Sequence, residues 1–138
     1  GDVWKKSVEL HVVGVNQSDK RRWDTMSMTE YWQTDNPIHV DAKEYTYKIQ
    51  YGGSKDCQEV TINADDPIAK IWKARNAEHL FILGDPHGIF KDELGAEDSR
   101  RSVIPAPRSK RWKKATKTID IEVTNSNITC MTTYKTPK

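Results

Sequence analysis

The sequence predicts a mainly β chain: an antiparallel, β-sandwich-like single domain spanning residues 1–138, with one short helix. Three observations carry this. Glu44 to Tyr51 alternates strictly, with Tyr45, Tyr47, Ile49 and Tyr51 separated by polar residues; a period of two is that of a half-buried strand. Turn-forming clusters recur at short intervals, at Asn16–Arg22, Asp35-Asn36-Pro37, Gly52-Gly53-Ser54 and Asn125-Ser126-Asn127. Only one segment repeats its apolar residues with a helical period.

Ser7 to Val15 opens the chain's order of elements. Val8, Leu10 and Val12 fall on one side and Val13 and Val15 on the other, as in a strand buried near its end. After the polar turn at 16–22, Met26, Met28 and Tyr31-Trp32 predict a second short strand. The alternating segment 44–51 follows, and Cys57 to Ile62 reads as its hairpin partner across the Gly-Gly turn. Asp65-Asp66-Pro67 predicts a helix start, since Asp caps the first turn and Pro suits its first position. Ile68, Ile71, Trp72 and the stem of Arg75 then share one face. Glu78 to Leu83 is a continuous apolar strand, and Gly84 to Arg101 is irregular. Ile119, Ile121 and Val123 alternate with acids before a turn into Ile128, Cys130 and Tyr134, which predicts a terminal hairpin.

A chain of 138 residues buries about two-thirds of its unfolded surface, enough for a core without metals. Charged residues make up 30% and mean hydropathy is −0.82, so the surface is very polar. Five Trp and five Tyr argue against disorder. Net charge is only +2, so no global field marks a nucleic-acid binder. The longest apolar run, Leu80 to Leu83, is far short of a membrane span. The abrupt start at Gly1-Asp2-Val3-Trp4 is read as a mature or trimmed chain.

Chemistry-bearing motifs are incomplete. Leu80 to Gly88 delivers Gly84-Asp85-Pro86-His87-Gly88 from an apolar strand, similar to the first metal-binding motif of metallophosphatases, where Asp and His hold one of two metals. No histidine follows His87, and two ligands alone hold a metal poorly; a strand end with an Asp-Pro turn is the plainer reading. His11, His39, His79 and His87 show no metal-ligand spacing. A nucleophile elbow and a phosphate-cradling glycine loop are both missing. The expectation is no catalytic site, no metal and no cofactor.

Two charged segments remain. Asp92, Glu93, Glu97 and Asp98 lie in the long irregular stretch; long loops in compact domains are commonly functional, and an acidic one can steer a protein partner, although a solvated loop has the same composition. Arg108, Arg111 and Trp112 belong to a basic run ending at Lys117. Such a run can grip anionic ligands or a protein partner, or simply keep a strand edge soluble. Cys57 and Cys130 are either one disulfide closing a long loop, worth about 4 kcal/mol, or two buried thiols; a disulfide would place the protein outside the cytoplasm. Asn16-Gln17-Ser18 and Asn127-Ile128-Thr129 match the glycosylation pattern.

The opening strand and turn, through Gly14, Asn16, Asp19 and Lys20, with Gly52-Gly53 and Cys57 as a looser echo, resembles a family of small bacterial lipoproteins. Many of these act as periplasmic immunity proteins against lipase or phospholipase effectors of type VI secretion. The family carries an aromatic where Val15 stands, commonly pairs cysteines where only Cys57 stands, and has no counterpart to 84–117. The resemblance implies a periplasmic, lipid-anchored chain whose partner is a cognate toxic enzyme. Nucleic acid is not expected as a partner, and the membrane only through an N-terminal anchor. It would permit the Cys57–Cys130 disulfide, and it assigns the loop 92–98 as a plug for a basic cleft. The alternative is a secreted or surface β module binding an anionic ligand through Arg108 to Lys117.

Overall fold

The computed structural model describes residues 8–33, 35–51, 57–62, 66–85, 91–105, 116–123 and 128–135. Seven strands lie in these residues: β1 (Val8–Val15), β2 (Thr46–Tyr51), β3 (Cys57–Ile62), β4 (His79–Asp85), β5 (Arg101–Pro105), β6 (Thr116–Val123) and β7 (Ile128–Lys135). They form a four-stranded sheet of order β2-β1-β4-β5 and a three-stranded sheet of order β3-β6-β7. Every pairing is antiparallel.

The centre of the larger sheet follows from composition. β1 is buried from Leu10 through Val15, and β4 from Leu80 through Gly84. Runs apolar on both sides of the pleat need cover on both faces, and helices supply part of it. Leu10, Val12 and Gly14 share a face with Ile82 and Leu80, and Trp72 from helix α4 (Pro67–Ala74) packs over Gly14. A Cβ on Gly14 would stand 2.3 Å from Trp72 Cδ1, so only glycine admits the indole. The opposite face, with His11, Val13 and Phe81, meets Trp23 of α1 (Lys20–Thr25) and Tyr31 of α2 (Met28–Tyr31).

Several sequence expectations are corrected here. Four α-helices occur among the described residues, not one; α3 spans Pro37–Asp41. The strand predicted around Met26 to Trp32 is helical. Ser27 caps α2 by accepting from the Glu30 N–H at 3.3 Å, and Met28 and Tyr31 bury at a helical spacing of three. Asn36, read as part of a turn, caps α3 ahead of Pro37. β3 does not pair with β2: β2 lies on β1, with Leu10 opposite Ile49, and β3 lies on β6 in the other sheet. Residues 101–105, for which the sequence predicted no strand, form β5.

Other expectations match. β1, β2 and β4 lie within a residue or two of their predicted bounds, and β6 and β7 form the terminal antiparallel pair. Helix α4 begins where Asp66 Oδ1 accepts from Ile68 N–H at 2.9 Å. It ends in a Schellman arrangement: Asn76 is left-handed at φ 55°, Asn76 N–H reaches Lys73 O, and Ala77 N–H reaches Trp72 O at 2.9 Å. Its buried face is Ile68, Ala69 and Trp72, with Ile71 turned to its margin.

The register also bears on the cysteines. Cys57 stands opposite Glu122, and Cys130 opposite Ile121, with β6 between their strands. Two strand spacings separate their Cα atoms by about 10 Å, whereas a disulfide spans at most about 7 Å. The Cys57–Cys130 bond expected from the even count is incompatible with this pairing.

Candidate functional site: the loop 91–101

The loop between β4 and β5 is built around two adjacent arginines. Arg101 begins β5 opposite Leu83, which sends its side chain to the α1–α2 face of the sheet. It is 1% exposed. Its guanidinium donates to four backbone carbonyls: Nε to Gly95 O at 2.7 Å, Nη1 to Trp23 O at 2.9 Å and Met26 O at 2.6 Å, and Nη2 to Glu93 O at 2.6 Å. One rigid fork thus ties the loop to the end of α1. Burial lowers the Arg101 pKa, and the nearby carboxylates of Asp98 and Asp24 oppose that.

Arg100 organises the other side of the loop. Its Nε donates to Asp98 Oδ1 at 2.9 Å and its Nη2 to Asp98 Oδ2 at 2.8 Å, a two-pronged pair. Nη2 also reaches Asp92 Oδ1 at 2.7 Å. Asp98 accepts further bonds from the backbone N–H groups of Arg100 and Glu93. Burial pushes the Asp98 carboxyl up, but the bonds from Arg100 and the two amides win and hold its pKa below the ordinary carboxylate value. Asp92 takes the Thr29 N–H at 3.1 Å and the Thr29 hydroxyl at 3.0 Å. Burial again acts upward, and the bonds from Thr29, Arg100 and Ser27 bring Asp92 down to about 2.

This placement divides the acidic residues expected to contact a partner. Asp98 is wholly buried against Arg100, whereas Asp92 pairs with Arg100 at the surface, its side chain 42% exposed. Glu93 and Glu97 do face outward: the Glu93 side chain is 40% exposed, with Lys91 Nζ 3.5 Å away, and Glu97 is exposed. Between them stands Leu94, 62% exposed, at the cap of the 3-10 turn Gly95–Glu97. Leu94, Arg100 and Arg101 are the residues that sequence reasoning missed. An isolated Leu in an acidic run gives a faint signal for an apolar tip; Arg100 stands near its carboxylates in sequence, but Trp23 and Met26, whose carbonyls hold Arg101, lie more than 70 residues away.

The remaining expected residues fall elsewhere. Arg108, Arg111 and Trp112 lie outside the described residues, as do His87 and Asn127 of the second glycosylation triplet. Asp85 ends β4 opposite Glu9. Asn16 of the first triplet caps the 3-10 turn Gln17–Asp19, accepting from Asp19 N–H at 2.9 Å. Among the described residues, no three His, Cys, Asp or Glu side chains are disposed to hold a metal ion. No described helix is long and apolar enough to cross a membrane. No protein family, curated protein or solved structure matches this chain.

Proposed function

We propose that this chain is a non-catalytic binding protein that neutralises a secreted lipase or phospholipase in the periplasm, acting as an immunity protein with loop 91–101 as its contact. The observation that carries the reading is the double arginine lock, which holds an exposed Leu94 between Glu93 and Glu97. A binding loop that is rigid before contact avoids the ordering cost of association. An apolar tip with an acidic collar suits an apolar pocket with a basic rim, the shape expected of an enzyme that takes acyl chains carrying anionic headgroups. The reading includes a stacking of the two sheets, supported by the closeness of β7 to β5.

The test is direct. The lipase encoded by an adjacent reading frame is purified, and its turnover is measured against added full chain. Stoichiometric inhibition with a stable complex supports the reading; undiminished turnover with no complex rejects it.

A further inference from the structure

Tyr31 on α2 is 1% exposed and His11 on β1 is 2% exposed. The Tyr31 hydroxyl lies 2.8 Å from His11 Nδ1. On the far side of the imidazole, Glu9 Oε1 stands 3.3 Å from Nε2. That contact selects the tautomer. A neutral ring protonated at Nδ1 would set the Nε2 lone pair against a carboxylate, two electron-rich atoms in contact. Protonation at Nε2 instead turns an N–H dipole towards the carboxylate, although the contact falls short of a hydrogen bond. Nδ1 then carries the lone pair, and the Tyr31 O–H donates to it.

Two indoles flank Tyr31. The partly exposed Trp32 has its ring 5.2 Å away and edge-on, and the buried Trp23 of α1 has its ring 5.8 Å away. Trp32 Nε1 is buried with no hydrogen-bond partner among the described residues, so an indole oxidised there has no acceptor for its proton. It stays a cation radical, a stronger oxidant than the neutral indolyl radical. Burial pushes the Tyr31 hydroxyl up, so Tyr31 gives up an electron only as its proton leaves. His11 Nδ1 is a base already at hydrogen-bond distance from that proton.

We propose that Tyr31, His11 and Glu9 form a one-electron oxidation site, entered through Trp32 by small oxidising radicals. The radical takes one electron from the Trp32 indole. Tyr31 supplies an electron to Trp32, which returns to the neutral indole. In the same step the Tyr31 O–H bond breaks and its proton forms an N–H bond at His11 Nδ1. The products are a neutral phenoxyl radical and an imidazolium whose Nε2–H faces Glu9. Burial resists a charged imidazole, and Glu9 is the group that partly offsets it. One electron later supplied to the phenoxyl draws the proton back and resets the site. The burial of Tyr31 keeps the phenoxyl from coupling to a second chain. None of this depends on loop 91–101 or on a protein partner.

Azide radicals generated by pulse radiolysis oxidise indoles first and serve as the probe on the full chain. Indolyl absorption is expected to decay as phenoxyl absorption grows, at a rate independent of protein concentration and slower in deuterated buffer. Tyr31→Phe is expected to lose most of the phenoxyl growth. His11→Gln is expected to slow it at least about tenfold, and Glu9→Gln at least about twofold. Phenoxyl growth undiminished in Tyr31→Phe, or the wild-type rate in either of the other variants, overturns the proposal. High-field electron paramagnetic resonance of the frozen wild-type chain needs no variant. With isotopically labelled histidine, the phenoxyl is expected to show a hydrogen bond from an imidazolium. A phenoxyl without that coupling overturns the proposal even where a variant fails to fold.

Discussion

Asp98 and Arg100, two residues apart in sequence, share a buried two-pronged ion pair: Oδ1 accepts from Nε at 2.9 Å and Oδ2 from Nη2 at 2.8 Å, with the carboxylate wholly buried. Breaking such a pair from one side leaves a desolvated charge, which costs about 3–5 kcal/mol. Asp98→Asn is expected to lose about 3 kcal/mol of stability, read from the midpoint of urea unfolding. A loss below about 1 kcal/mol would show that Arg100 finds full compensation from Asp92.

Arg101 acts through geometry as well as charge. Lysine keeps the charge but cannot reach four carbonyls held in a planar fork. Arg101→Lys is expected to destabilise the chain by about 2–4 kcal/mol, nearly as much as Arg101→Met, since stranded carbonyls cost about 1–3 kcal/mol each. If the lysine variant unfolds at the wild-type midpoint, the fork is not what anchors the loop to α1.

Leu94 touches solvent rather than core. Leu94→Asp is expected to leave stability within about 0.5 kcal/mol and to weaken effector binding at least about tenfold, as expected of an anchor in a buried pocket. Calorimetric titration and thermal unfolding of the same variant separate the two effects. Intact affinity would move the contact to another surface.

Asp92 makes stability depend on acid. Its folded pKa of about 2 lies below the ordinary carboxylate value of about 3.9, so the unfolded chain binds the proton more readily. Its contribution is therefore full above about pH 4 and is lost as pH falls from 4 towards 2. The carboxylate is 42% exposed, and solvent screening keeps the effect small, about 1 kcal/mol or less. Asp92→Asn should flatten the stability profile between about pH 4 and about pH 2 without changing its shape near neutrality.

Gly14 is fixed by its neighbour. Gly14→Ala forces a Cβ into the Trp72 indole, and overpacking of this kind costs about 1–3 kcal/mol. Trp72→Leu in the same chain makes room, so the double variant should lose less than the two single losses added together. Strict additivity in urea unfolding would mean that the strand and helix shift apart without strain.

The sequence by itself determined the elements whose signals are local. Alternation marked β2 and the β6–β7 pair, a continuous apolar run marked β4, and a cap-plus-proline signal marked α4. The same kind of signal stands at Asn36-Pro37, but α3 is only five residues long, too short for a period to distinguish it from a turn. Ser27-Met28-Thr29-Glu30 likewise carries a capping-box pattern that the strand-like Met and Trp residues around it obscure. Tertiary structure alone decided which strands pair, since β3 is near β2 in sequence yet lies on β6 in the other sheet. It also decided which charges are spent inside the fold. Asp92 and Asp98 look in sequence like Glu93 and Glu97, and only the folded loop pairs the first two with Arg100, burying Asp98 and joining Asp92 to Thr29 of a distant helix. A burial period is written along one chain segment; the carbonyls of Trp23 and Met26 that hold the buried Arg101 are not.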